Sequence, residues 1–176
     1  MRRVAAYCIA ISIKRDHSGL FGQVMKIDHR ALRIYAQQLR SVLEPAFSDE
    51  TALPGSTRHP LSSGHCAAVA ALVHRRLGGW LVSATVGNQS HWFNRLRAGN
   101  RLIDVDLTGD QFGRAPVQVA AFGRLYRDTR VRRPSELLPE TLARCEKLEQ
   151  RARLTNTRDK HIHFQRKNGV TLSKFG

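Results

Sequence analysis

Residues 91–107 read as two β-strands joined by a very short turn. Strand-like segments lie at His91–Leu96 and Leu102–Leu107, and Arg97-Ala98-Gly99-Asn100 between them is typical of a hairpin. A connection this short joins only antiparallel strands. The chain is therefore expected to contain an antiparallel sheet, and the rest of the fold has to pack around it.

Helices are expected before and after this hairpin, each from apolar residues at helical spacing. The predicted elements are helices at 28–43 (with Asp28 as N-cap), at 66–77 and at about 139–154, and a further strand at 80–86. Gly78-Gly79 is expected to end the second helix, while residues 46–63 read as a long loop. The predicted fold class is α+β, with the helix that begins at Cys66 packed on a small antiparallel sheet.

The domain organisation is predicted from the length and from the two ends. A chain of 176 residues is long enough for one domain with a substantial core, and we assign this domain to residues 26–154. Residues 1–25 are expected to be an N-terminal extension, and translation from Met25 is the alternative that would leave them out of the native protein. Residues 155–176 are expected to be a basic C-terminal tail.

Apolar runs and cysteines indicate the compartment. No run approaches the eighteen or so apolar residues that a membrane span needs, so we expect no membrane association. Cys8, Cys66 and Cys145 are too few and too widely separated for a disulfide framework, which is typical of a reducing cytosol. A cytoplasmic protein is predicted.

The charge balance suggests one class of partner. The formal net charge is +15, from 29 Lys and Arg against 14 Asp and Glu, and more than half of this surplus lies after residue 122. A basic surface attracts nucleic acid or an acidic protein, because neutralised phosphates release their counterions. One predicted function is therefore a non-catalytic binding module with such a partner. The alternative is a solvated surface that binds nothing in particular.

Cys66 opens a predicted helix and is the first candidate for chemistry. Ser62 or Ser63 is expected to cap this helix, and Gly64 allows the backbone to approach closely. The free N–H groups of a first helical turn stabilise a thiolate and can donate to an oxyanion. The alternative is that Cys66 is a small buried apolar residue in an alanine-rich helix.

The hairpin turn decides whether His91 can meet a carboxylate. A turn centred on Ala98-Gly99 pairs His91 with Asp106 and puts Asp104 and Asp106 on one face of the sheet. A turn centred on Gly99-Asn100 keeps His91 and Asp106 on one face but displaces them by two residues. A three-residue loop would separate them onto opposite faces.

A cysteine at a helix start, a strand histidine and an opposed aspartate are the parts of an activated thiol nucleophile. We therefore predict an enzyme in which Cys66 attacks a carbonyl carbon, His91 moves the proton and Asp106 orients the imidazole. The alternative is a structural histidine beside a solvated acidic strand end. A zinc site at His59, His65, Cys66 and His91 lacks paired-ligand spacing, so neither a metal nor a cofactor is predicted.

Five short segments of the chain together match a known pattern. They are Ser48-x-Glu50-Thr51, Gly64-x-Cys66, Gly78-Gly79, Ser90-His91-Trp92-x-Asn94-Arg95-Leu96 and Asp106-Leu107-Thr108-x-Asp110-Gln111-Phe112. They resemble the YunG-like family of small bacterial proteins over about residues 28–154. More distantly, the order of the three chemical residues resembles the transglutaminase-like branch of the papain-like cysteine hydrolases.

The resemblance implies a papain-like or transglutaminase-like core with a Cys66-His91-Asp106 triad. The implied activity is a peptidase, a deamidase or a transglutaminase-like acyltransferase that acts on a protein or peptide through a thioester. The family usually has glutamine where this chain has His65. Four further residues are candidates for contacting the substrate, the oxyanion or the triad itself. They are His65, Gly64, Trp92 and Asp104.

Overall fold

The computed structural model describes residues 29–57 and 59–154 as an α+β fold. Three helices pack with a five-stranded antiparallel sheet, which confirms the predicted fold class. The expected extension at 1–25, the Asp28 cap and the basic tail at 155–176 lie outside the described residues. Within the described part of the chain, no helix has both the length and the apolar character to cross a bilayer.

The predicted helices and the three longer strands are all present. The helices are α1 (His29–Leu43), α2 (Cys66–Leu77) and α3 (Pro139–Arg151); the strands are β1 (Trp80–Val86), β2 (Gln89–Ala98), β3 (Arg101–Asp106), β4 (Gln118–Ala121) and β5 (Arg130–Arg132). The sheet order is β4-β3-β2-β1-β5. Strands β4 and β5 were missed from sequence because they are short edge strands, and their pairing partners, not their own pattern, define them.

The β2–β3 turn settles the register. Ala98 pairs with Arg101, so the two-residue turn is Gly99-Asn100 and the expected pairing of His91 with Asp106 is wrong by two residues. Gly99 has a φ of 61°, which suits the first central position of a hairpin turn that follows the strand twist. The second predicted register is therefore the observed one, and it keeps His91 and Asp106 on one face.

The two faces of the sheet carry separate apolar clusters. Leu96, Ile103 and Val105 pack with the helices in the large core. On the other face, Val82 and Phe93 pack with residues of the 122–129 segment in a smaller cluster. Strand alternation places His91 and Asp106 on this second face.

Two contacts fix α2 in place. The side-chain amide of Asn94 on β2 donates to the carbonyl of Ala70 at 3.0 Å, and α3 packs along the other side of α2. Cys145 of α3 is fully buried there, and burial raises the pKa of its thiol to about 12. Leu138 is 66% exposed, because it precedes the first turn of α3 in an extended conformation.

Candidate functional site

Cys66 is the first residue of α2 and is a partly exposed free thiol. The turn that leads to it requires glycine at position 64, where φ is +75°. A Cβ on Gly64 would lie 2.7 Å from Cβ of Ser56 and 2.9 Å from the backbone nitrogen of Leu53. The expected close approach of backbone to Gly64 is therefore present. The segment that approaches is the preceding loop, at Leu53 and Ser56.

The predicted serine cap of this helix is wrong. His65 occupies the N-cap position, and no side chain caps the start of α2. The hydroxyl of Ser62 donates instead to Oδ1 of Asp110 at 2.5 Å, and Arg40 of α1 holds both oxygens of the same carboxylate. This network ties the turn before Cys66 to the segment after β3.

His65, a candidate for contacting substrate, is a buried structural residue. Its Nδ1 donates to the carbonyl of Ser63 at 2.9 Å, so its Nε2 accepts from the hydroxyl of Thr51 at 2.9 Å. Its ring lies 4.4 Å from that of Phe47, and burial lowers the pKa of His65. His65 thus stays neutral and holds the long loop onto the start of α2.

His91 is fully buried and bound to Asp106. The distance from Nε2 to Oδ2 is 2.9 Å, and because a carboxylate only accepts, Nε2 carries the proton. The imidazole meets the rings of Phe112 and Tyr126 edge-on at 4.8 and 4.9 Å, and stacks with Phe93 at 6.3 Å. This aromatic enclosure excludes water from the imidazole and fixes its plane.

Asp106 accepts four hydrogen bonds. Its Oδ2 receives His91 and, at 2.6 Å, the hydroxyl of Tyr126. Its Oδ1 receives the backbone N–H and the hydroxyl of Thr108 at 2.8 and 3.1 Å. Sequence reasoning did not identify Tyr126, which lies 20 residues further along the chain in a region that reads as irregular.

These contacts fix the ionisation of the pair. Burial alone would raise the pKa of Asp106, but hydrogen bonds from His91, Tyr126 and Thr108 and the charge of His91 hold it below its usual value. Burial alone would likewise lower the pKa of His91, but hydrogen bonding and charge from Asp106 and Cys66 raise it to about 9. Burial and the nearby Asp106 charge raise the pKa of Tyr126, so its hydroxyl stays a donor.

The second ring nitrogen of His91 is used differently from the first. Nδ1 is buried and has no hydrogen bond of ordinary geometry to any described residue. Because Nε2 is occupied by Asp106, Nδ1 is the atom available to Cys66. Hydrogen bonding and electrostatic interaction with the Cys66 side chain add to the raised pKa of His91.

Asp104, on the same face of the sheet, belongs to a different network. Its Oδ1 accepts from Nε of Arg95 at 2.7 Å, and its Oδ2 accepts from the backbone nitrogen of Gly123 at 2.9 Å. The guanidinium of Arg95 also lies 4.2 Å from the ring centre of Phe122. Asp104 therefore anchors the segment that carries Tyr126, and its contacts are with that segment and not with His91.

Trp92 lies on the opposite face of β2 from His91. Its ring packs against the large core and lies 5.8 Å from the guanidinium carbon of Arg132. Trp92, a candidate for contacting substrate or triad, is therefore directed away from His91 in this structure. Among the residues that the structure describes, no group of three or more His, Cys, Asp or Glu side chains is arranged to hold a metal ion.

The family is decided by a sequence comparison. The family model described as YunG protein matches residues 35–156. The chain belongs to the YunG family. The matched residues run from within α1 to beyond α3 and include the whole site, so the predicted YunG-like resemblance is confirmed. The searches of curated proteins and of solved structures found no match.

Proposed function

We propose that this YunG-family chain is a cysteine-dependent hydrolase or acyltransferase that acts on amides through a thioester on Cys66. The observation that carries the proposal is the unequal use of the two His91 nitrogens. Nε2 is bound to an anionic Asp106, while Nδ1 is buried without a hydrogen-bond partner among the described residues, and the Cys66 side chain adds to the raised pKa of His91. Buried polar atoms normally have partners, and an available nitrogen beside a partly exposed thiol is what proton transfer requires.

The proposed reaction uses Nδ1 of His91 as the proton carrier. The thiol proton passes to Nδ1, and Sγ of Cys66 attacks the carbonyl carbon, so a C–S bond forms and the C=O π pair moves onto oxygen. Collapse of this intermediate breaks the C–N bond, and Nδ1–H protonates the leaving amine. Water or a second amine then attacks the thioester, gives its proton to Nδ1, and releases Cys66.

The raised pKa of His91 supports this sequence of steps. A pKa of about 9 makes the imidazole a strong enough base to take the thiol proton and a strong enough acid to return it to the leaving amine. Asp106 is the orienting residue, because its four hydrogen bonds fix it as an anion and its Oδ2 holds Nε2. Tyr126 and Thr108 hold Asp106 in turn.

The papain-like or transglutaminase-like character of the core is part of the same proposal. It is supported by α2 beginning at Cys66 and held to β2 by Asn94, with His91 and Asp106 on β2 and β3. The sequence resemblance supports a protein or peptide amide as the substrate. Hydrolysis and acyl transfer share the thioester, and they differ only in the second nucleophile.

The alkylation rate of Cys66 tests the proposal without a known substrate. The rate of reaction with iodoacetamide is measured over a range of pH by peptide mapping, which separates Cys66 from the other cysteines. His91→Ala is expected to slow Cys66 alkylation at neutral pH by about 100-fold, the usual contribution of a positioned base. His74→Ala, in the last turn of α2, is the matched control and should leave the rate unchanged.

An alkylation rate that does not depend on His91 in the folded protein would contradict the proposal. The site would then be structural, and the binding module expected from the charge balance would be the function to pursue. That function predicts binding to nucleic acid or an acidic protein that weakens steeply with salt and is unaffected by Cys66→Ala.

A further inference from the structure

Gln111 lies between the two halves of the site. It belongs to a one-turn 3-10 helix, Gly109–Phe112, that follows β3 almost directly. Its neighbour Phe112 packs edge-on against His91 at 4.8 Å. Its own Oε1 accepts a hydrogen bond of 3.4 Å from the backbone nitrogen of Gly64, two residues before Cys66. Gln111 thus contacts the turn that presents the nucleophile, and its sequence neighbour Phe112 contacts the enclosed base.

The orientation of the Gln111 amide follows from its partner. Gly64 offers an N–H donor, so the atom that faces it must be the carbonyl oxygen, and the amino group is directed elsewhere. The Ser62–Asp110 hydrogen bond also holds the two segments together, and Arg40 of α1 binds Asp110 in turn. The amide is therefore fixed through its oxygen and through the backbone on either side.

The amino group of Gln111 has no acceptor within residues 29–57 and 59–154. Nε2 is buried and has no hydrogen-bond partner among the described residues. Leaving a buried donor unsatisfied costs about 1–3 kcal/mol, so such a group calls for an explanation. An unpaired donor on a side chain that is bound to the turn before Cys66 is a candidate for stabilising a developing oxyanion.

We propose that Nε2 of Gln111 donates to the carbonyl oxygen of the substrate as Cys66 attacks, together with the backbone N–H of Cys66 in the first turn of α2. This inference rests on the proposed function. When Sγ adds to the carbonyl carbon, the π pair moves to oxygen and Nε2 stabilises that charge. When the intermediate collapses, the leaving group departs with a proton from His91, the C=O bond re-forms and the donor is free again.

Two reagents on the same thiol separate this role from simple positioning. Iodoacetamide alkylates Cys66 by displacement at a saturated carbon, with no oxyanion. p-Nitrophenyl acetate acylates Cys66 through a tetrahedral oxyanion, and its rate is measured from p-nitrophenolate release and from the S-acetyl mass at the Cys66 peptide. Gln111→Met, which is neutral and of similar size, is expected to slow acylation by about 100-fold while alkylation stays within about twofold of the unaltered chain.

Gln111→Glu is the second variant, because it keeps an oxygen for Gly64 N–H, replaces the donor with a second oxygen and adds a negative charge that opposes an oxyanion. It should slow acylation at least as much as Gln111→Met. Gln38→Met, on the exposed side of α1, is the control and should change neither rate. Circular dichroism confirms that each variant is folded.

Equal slowing of both reagents in both variants would overturn the assignment, because Gln111 would then act only by holding the Cys66 turn. Unchanged acylation would also overturn it. If the unaltered protein alkylates with a rate that depends on His91 but is not acylated, the Gln111 assignment fails while the activated thiol stands. If alkylation does not depend on His91, the proposed function itself fails.

Discussion

Asp104 and Asp106 face the same side of the sheet, and each binds a cation on β2. The Arg95–Asp104 pair uses both carboxylate oxygens, stacks on Phe122 and anchors Gly123. The His91–Asp106 pair uses one imidazole nitrogen and leaves the other beside Cys66. Each pair joins a basic residue of β2 to an aspartate of β3. The pairs therefore differ in which atoms of the basic side chain remain available to another group.

The difference follows from the chemistry of the two cations. Arginine is charged at every accessible pH and presents a planar fork that matches a carboxylate. Histidine gains and loses its proton near neutrality, and its two nitrogens can serve different partners. We therefore expect the arginine pair to matter for stability and the histidine pair to matter for reactivity, and the following changes test that division.

The largest effect is expected from Asp104→Ala. Arg95 would keep its charge with its side chain only 7% exposed, and an uncompensated buried charge costs about 3–5 kcal/mol. Urea unfolding should show this loss, while Cys66 alkylation in the folded molecules should fall by less than tenfold. A loss of Cys66 reactivity as large as that of His91→Ala would contradict the division between the pairs.

The exposed Arg75–Glu146 pair is the control for Asp104→Ala. Its side chains are 35% and 60% exposed, and surface pairs contribute about 0–1 kcal/mol. Glu146→Ala should therefore change the free energy of unfolding by less than about 1 kcal/mol.

Tyr126→Phe should have the next largest effect. It removes the 2.6 Å hydrogen bond to Asp106 and keeps the ring that packs on His91. Hydrogen bonds to charged groups contribute about 1.5–3 kcal/mol, and the free energy of unfolding should fall by that amount. Tyr35→Phe on α1 is the matched control. In an Asp106→Asn background the cost of Tyr126→Phe should shrink, and an unchanged cost would show that the hydroxyl acts elsewhere.

The pH dependence of stability separates the pairs further. The measurement uses Cys66→Ala, so that titration of that thiol does not contribute. The pKa of His91 is raised in the folded state, from 6.5 toward about 9 with the thiol present. The native state therefore holds the extra proton, and stability is complete below pH 6.5 and falls as pH rises through the folded value, by at most about 1.4 kcal/mol per pH unit.

The same titration has a control and a contrary outcome. Adding His91→Asn to Cys66→Ala should flatten the curve over this range, whereas adding Arg95→Lys should leave its slope intact. If stability still falls with rising pH when His91 is absent, the titration belongs to another group. The evidence that Asp106 stabilises the protonated form of His91 would then be removed.

The smallest effect is expected from Arg95→Lys itself. Lysine keeps the charge opposite Asp104 but loses the two-nitrogen contact and the stacking on Phe122. Loss of a partly exposed cation–π contact and of fork geometry should cost about 1 kcal/mol in unfolding free energy. Cys66 alkylation should not change, and a measurable change would show that the two pairs are coupled through the 122–129 segment.

The sequence alone was sufficient to predict those features that depend on local residue pattern. The helix that begins at Cys66, the hairpin and the shared face of His91 and Asp106 all follow from periodicity and turn chemistry. The exact register did not, because Gly99 suits either turn and the two choices differ by two residues. Both turns keep the same face, so the candidate site was predicted even where its register was wrong.

Contacts distant in sequence could not be predicted. Ser62 is a reasonable helix cap, but Asp110 lies 48 residues away and competes for its hydroxyl. His65 resembles a site residue next to Cys66 until Thr51 and Phe47 are seen to enclose it. Tyr126 had no local signal, since Asp104 and Arg95 bring its segment onto the sheet.

The burial of Cys145 has a practical consequence for these measurements. Its thiol is sealed between α2 and α3 with a pKa of about 12, so a reagent reaches it only when those helices separate. The alkylation rate of Cys145 therefore reports how often the protein opens. The alkylation rate of Cys66, measured in the same sample, reports the reactivity of the thiol in the folded protein. Each variant thus carries an internal reference that distinguishes a lost catalytic contact from a loosened fold.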